Sequence, residues 1–126
     1  MRRDLLLMAA LLAACVPDPS KLPIEPKLEV PSSAFLSVAG TAEGDVWIAG
    51  ARPSPTDSPV LLHYNGDTVE SVETGQLHDL WWVHTLDDGT VYAAGAGATV
   101  LQIRDGVVER MDTPRFFGNT IFGAHV

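Results

Sequence analysis

The chain repeats itself, and a repeat of 40 to 50 residues is a strong constraint on fold because it implies stacked or arrayed copies of one small unit. Phe35-Leu36-Ser37-Val38 aligns with Leu80-Trp81-Trp82-Val83, Gly44-Asp45-Val46-Trp47 with Gly89-Thr90-Val91-Tyr92, and Ala49-Gly50 with Ala94-Gly95, all at an offset of 45. Further on, Val60-Leu61 aligns with Val100-Leu101 and Asn65-Gly66 with Asp105-Gly106 at an offset of 40, then Val69-Glu70 with Val108-Glu109 at 39. A third copy opens at Ile121-Phe122-Gly123-Ala124-His125, matching Leu80 to His84.

Each copy holds four short runs rich in β-branched and aromatic residues, separated by Gly, Asp, Asn and Pro, the grammar of an antiparallel meander. The expected strands cover 34–39, 45–50, 59–65 and 68–72 in the first copy, and 79–85, 90–95, 98–104 and 107–111 in the second. Asn65-Gly66 and Asp105-Gly106 are read as tight hairpins, because these pairs tolerate positive φ. No stretch after residue 33 sustains a capped apolar period of 3.6 residues, so helices are not expected. Alternation within the first strand of each copy assigns Leu36/Trp81/Phe122 and Val38/Val83/Ala124 to the core. The variable set Phe35/Leu80/Ile121, Ser37/Trp82/Gly123 and Ala39/His84/His125 falls on the other face.

Four strands per 40 to 45 residues is the size of a β-propeller blade. Val46-Trp47-Ile48-Ala49-Gly50, Leu61-Leu62-His63-Tyr64-Asn65-Gly66 and Val69-Glu70-Ser71-Val72 resemble the degenerate repeats of bacterial surface and periplasmic propellers, related to the sialidase-type (Asp-box) and photosystem II stability factor-like families. Thr85, Asp87, Gly89 and Tyr92 follow the Asp-box spacing with Tyr in place of Trp, and in that family the box stabilises a turn. The resemblance implies an all-β fold of antiparallel four-stranded meanders: about two β-propeller blades plus the first strand of a third, over residues 34–126. Closed propellers have at least four blades. The expectation is therefore either that partners complete the sheet or, as favoured, that the chain is truncated, since Val126 falls within a strand.

Cys15 is the only cysteine. Arg2 and Arg3 form a positive n-region, and Leu5 to Ala14 an apolar stretch of about ten residues, too short to span a bilayer and typical of an export signal. Leu12-Ala13-Ala14-Cys15 resembles the lipobox of bacterial lipoproteins, which implies diacylglyceryl attachment to the thiol, cleavage of residues 1–14, and Cys15 as an acylated, palmitate-bearing N-terminus. The implied location is the cell envelope, with membrane lipid as partner. Val16 in place of aspartate points to the outer membrane or cell surface in a Gram-negative cell. Residues 15–33 carry Pro17, Pro19, Pro23, Pro26 and Pro31, a composition that favours an extended tether of up to about 55 Å at roughly 3.1 Å per residue.

Without residues 1–14 the chain has six basic and fifteen acidic side chains, a formal charge of −9. Nucleic acid is excluded as a partner on this ground, since phosphate contact needs clustered Lys and Arg. No cofactor is expected. The histidines His63, His78, His84 and His125 lack the short paired spacings of a metal motif, so no metal site is assigned. No serine lies in a nucleophile elbow, the carboxylates scatter over turns, and Asp87-Asp88-Gly89 reads as a turn. Arg52, Arg104, Arg110 and Arg115 do not form the arginine cluster a sialidase would need.

The ligand-binding candidates are Trp82, His84 and His125. Trp82 replaces small residues of its repeat position, and the two histidines occupy equivalent places on neighbouring first strands, an arrangement suited to stacking a sugar ring. The loop at 51–58, longer than its counterpart, is a second place where specificity could be written. The expected function is a non-catalytic binding or scaffold module with a protein or glycan ligand and self-association through exposed blade edges. The alternative is the remnant of a propeller-type glycan hydrolase or larger propeller protein.

Overall fold

A computed structural model describes residues 32–113 and 118–125. Cys15, the export signal and nearly all of the Pro-rich segment lie outside the described residues, as does Arg115. The described part is all-β, with strands β1 (Phe35–Ala42), β2 (Asp45–Gly50), β3 (Leu61–Tyr64), β4 (Val69–Ser71), β5 (Leu80–Thr85), β6 (Val91–Gly95), β7 (Val100–Arg104) and β8 (Val107–Arg110). They form two four-stranded antiparallel sheets, ordered β1-β2-β3-β4 and β5-β6-β7-β8, each a blade-like meander and open rather than closed.

The pleat sorts each sheet into two faces. In the first sheet the rows Ser37–Ala49–Leu61 and Ala39–Trp47–His63 share one face. In the second, Val83–Ala93–Leu101 and Thr85–Val91–Ile103 share another. Trp47, Ala49 and Leu61 of the first set and Val83, Val91, Ala93, Leu101 and Ile103 of the second, with Leu80, belong to one buried cluster. The core is therefore the seam between the sheets, with β5 laid against β1 and β2. Two polar links reinforce the seam: the Val83 amide donates to Ser37 Oγ at 3.2 Å, and Arg52 donates through its backbone N and Nε to Asp79 Oδ1 at 2.9 and 3.2 Å.

The repeat is visible in the backbone. Ala51 and Ala96 donate to the carbonyls of Ala34 and Asp79, both at 2.9 Å, and Gly50 and Gly95 donate to Val60 and Thr99 at 2.9 and 3.0 Å. At both glycines a Cβ would run into the backbone carbonyl that precedes the first strand, so no side chain fits. This close approach explains the Ala-Gly that ends the second strand of each copy.

Register corrects the sequence alignment at β3. Val46 pairs with Tyr64 and Val91 with Ile103, so β3 and β7 correspond at an offset of 39, not 40. Leu61 and Leu101, matched by sequence, lie on opposite faces of their sheets and meet the same seam from its two sides. A one-residue shift exchanges faces, and shared burial mimicked shared position. The β2–β3 connection accordingly has ten residues, 51–60, against four, 96–99, in the second copy.

The expected core set of the first strands is also corrected. Trp81 is 38% exposed, Phe122 68% and Val38 67%, Ala124 is exposed and Leu36 half-buried, whereas Val83 is 3% exposed and Leu80 is fully buried. The ladders shift register between Phe35 and Ser37 and between Leu80 and Trp82. A bulge places two residues opposite one, so Leu80 and Val83 both reach the seam and strict alternation fails. Val38 differs from its counterpart Val83 because the first sheet covers Val83, while among the described residues no sheet covers Val38.

Two local expectations change as well. Asp105 and Gly106 have φ of 51° and 76°, the tight hairpin expected, with Arg104 paired to Val107. In the first copy Gly66 has positive φ but Asn65 does not; Asn65 instead accepts at Oδ1 from the amides of Asp67 and Thr68 at 3.1 and 2.9 Å, an Asx-type loop. Residues 121–125 have no strand pairing, because among the described residues no second strand lies beside them.

Leu61→Ala should cost about 2–5 kcal/mol, as expected for a fully buried leucine between packed layers, and Val107→Ala, at a site 66% exposed, within about 0.5 kcal/mol. Gly95→Ala should be at least as damaging as Leu61→Ala despite adding one methyl group. Urea denaturation of the three variants checks the order.

Candidate functional site

The outward face of the second sheet carries the rows Trp82–Ala94–Val100 and His84–Tyr92–Gln102–Glu109. Trp82 is half-buried and His84 exposed, and their rings stack with centroids 5.6 Å apart and planes 9° from parallel. Residues two apart on a strand share a face, which is why β5 can present both rings together. Gln102 Nε2 donates to the Tyr92 hydroxyl at 2.8 Å, fixing the next side chain of the same surface. A Cβ on Gly123 would sit 3.6 Å from Trp82 Cδ1 and 3.8 Å from Nε1, so the Gly123 backbone passes close to one edge of the indole.

Of the three candidates, the structure brings Trp82 and His84 together and leaves His125 apart. His125 is exposed, and among the described residues it makes no ring contact or hydrogen bond with the other two. What Trp82 and His84 can offer chemically is a flat, partly solvated surface with an imidazole that donates or accepts, suited to stacking and hydrogen bonding.

A second polar group was not singled out by sequence reasoning. Asp45, at the start of β2, accepts from Thr41 Oγ1 at its Oδ2 (2.7 Å) and from Trp47 Nε1 at its Oδ1 (3.2 Å). His63 Nε2 lies 2.8 Å from the same Oδ1, and because an ionised carboxylate only accepts, that nitrogen carries the proton. Trp47 and His63 face each other in the β2–β3 ladder and stack with centroids 4.2 Å apart and planes at 15°. The available signal was this cross-strand pairing, visible once the register is known. The corresponding residues of the second copy are Thr90, Tyr92 and Gln102, and the cluster is not repeated there.

The Thr41 hydrogen bond chiefly holds the Asp45 carboxyl below its ordinary value of 3.8; partial burial opposes this, and the bonds from His63 and Trp47 with the charge of a protonated His63 assist. One carboxylate thus ties the ends of β1, β2 and β3. It borders a cleft of about 560 Å³ whose lining includes His63, Glu70, Gly89 and Asp105. Trp47 is only 7% exposed, so its indole serves packing and not ligand stacking. Among the described residues no three His, Cys, Asp or Glu side chains gather in metal-holding reach.

Other positions fall to turns and links. Asp88, and not Asp87 of the Asp-box spacing, accepts from the Thr90 amide at 2.9 Å. The 51–58 loop is pinned by Arg52, which also donates through Nη1 to the Pro55 carbonyl at 3.0 Å. With β3 and β4 the loop encloses a polar-edged cavity of about 340 Å³ that includes Thr56, Asp57, Ser58 and Glu73.

A group whose pKa is depressed by folding contributes stability above its unfolded pKa and loses it as pH falls through the folded value. Wild type should therefore exceed Asp45→Asn in stability at about pH 6, and the gap should narrow as pH falls below the ordinary 3.8. Denaturation midpoints of both proteins across that range check the sign; a gap that widens on acidification would contradict the depressed pKa.

Comparison of the chain with protein-family models, curated proteins and solved structures found no match.

Proposed function

We propose that the protein is a lipid-anchored component of a bacterial cell envelope whose propeller-type repeat domain acts as a non-catalytic binding or scaffold module. The observation that carries the binding part is the openness of the two sheets. The described domain exposes Phe35, Val38, Val107 and Phe122 at its outer surfaces while its main buried cluster lies at the seam. Exposed apolar patches and unpaired strand edges are where soluble domains meet partners, including further copies of themselves. The non-catalytic part is supported by the use made of Asp45, whose oxygens are engaged by Thr41, Trp47 and His63 in tying strands. The anchoring part rests on Leu12-Ala13-Ala14-Cys15 behind a short apolar run. Two or three acyl chains hold a protein at a bilayer far more firmly than one.

The anchor is tested chemically. Cys15→Ser should abolish metabolic labelling by a fatty acid and move the protein from the membrane fraction to the soluble one; continued membrane attachment of the serine variant would reject it.

A glycan in place of a protein as ligand is favoured by one feature, the parallel stack of Trp82 and His84 on an outer face. If that reading holds, titration with envelope oligosaccharides should quench tryptophan fluorescence, and Trp82→Ala should weaken binding by about tenfold or more, the scale of about 1.4 kcal/mol of stacking. Binding unchanged in Trp82→Ala would remove the aromatic surface from consideration.

A further inference from the structure

Residues 121–125 align with the first strand of each copy, and among the described residues no second strand lies beside them. Their backbone is attached to the second sheet by the Ile121 amide, which donates to the Gly95 carbonyl at 3.0 Å. Phe122 meets Trp81 edge-on, with ring centroids 5.3 Å apart and planes at 69°, and Gly123 lies against Trp82. Phe122 to His125 are exposed, and among the described residues their backbone amides and carbonyls have no partner. Water satisfies such groups, and an incoming strand can replace it.

From this geometry, and resting on the binding-module reading, we infer that residues 121–125 are an acceptor for one antiparallel β-strand of sequence pattern Val-aromatic-x-Ala-Gly. The structure contains the template twice. Phe35 pairs with Gly50, Ser37 with Ala49 and Ala39 with Trp47; Leu80 pairs with Gly95, Trp82 with Ala94 and His84 with Tyr92. Ile121, Gly123 and His125 are the same three positions of the third copy. The incoming strand therefore places Gly opposite Ile121, Ala opposite Gly123 and an aromatic residue opposite His125, with Phe122 as the bulged residue, as Leu36 and Trp81 are.

The glycine is what makes the acceptor selective. At Gly50 and Gly95 a Cβ would strike the carbonyl of Ala34 or Asp79, and the following residue, Ala51 or Ala96, donates its amide to that same carbonyl. Thr120 is the counterpart of Ala34 and Asp79. A partner strand with any side chain at the glycine position would meet the Thr120 carbonyl and lose both the ladder and this closing bond. Main-chain bonds give affinity in such strand addition and alternate side chains give specificity.

The test uses the acylated full chain in detergent micelles and a synthetic peptide copying residues 88–97, which carries Val91-Tyr92-Ala93-Ala94-Gly95. Added at millimolar concentration, it should slow amide hydrogen exchange in residues 121–125. The same peptide with valine at the Gly95 position should give no protection. No protection at millimolar peptide, equal protection by the valine peptide, or protection confined to β4 or β8 would overturn the acceptor assignment. Membrane attachment of the same preparation through Cys15 is read separately, so failure of the strand acceptor is distinguishable from failure of the anchored-module reading.

Discussion

Everything in this domain depends on one contact, the burial of Trp47, Ala49 and Leu61 of the first sheet against Leu80, Val83 and Leu101 of the second. A four-stranded meander has two faces and no interior of its own, so its apolar residues leave water only when another layer covers them. Full burial of a leucine is worth about 1.5–3 kcal/mol, and Leu61, Leu80 and Leu101 are each fully buried at this seam. The polar links across it, such as the partly exposed Arg52–Asp79 pair, add orientation more than stability, since solvent screens them.

The same constraint explains why equivalent positions have different fates. Val83 is buried and Val38 exposed although both open a copy of the same repeat, because among the described residues a covering sheet is present for one and not for the other. Gly50 and Gly95, by contrast, are alike in both copies, since their need for space arises inside each sheet, where the second strand meets the chain preceding the first. Properties internal to a blade repeat; properties at its faces depend on its neighbours.

Polar chemistry in the domain is spent largely on architecture. Asp45 gathers donors from β1, β2 and β3, and Asn65 and Asp88 close loops. Among the described residues, the groups left free for partners lie on the outer surfaces: the Trp82–His84 stack, the apolar groove of Phe35, Leu36, Val38 and Ile48, and the unpaired residues 122–125. On the proposed binding-module reading, these surfaces are where shape, stacking and backbone hydrogen bonds would meet a partner.

The sequence by itself determined the strand content, the two four-stranded units and most strand boundaries, because alternation, Gly-containing turns and the 45-residue offset are local properties of the chain. It also determined that Trp82 and His84 share a face, which follows from their spacing alone. Only the tertiary structure decided which face is core. A bulge at Trp81 moved Leu80 into the seam and Trp81 out of it, and bulges are specified by ladder hydrogen bonds that composition does not reveal. The register of β3 likewise came from pairing, since Leu61 and Leu101 look equivalent in sequence only because both are buried. The Asp45–Trp47–His63 cluster was hidden for the same reason: its members come from two strands, and proximity across strands exists only once the sheet has formed.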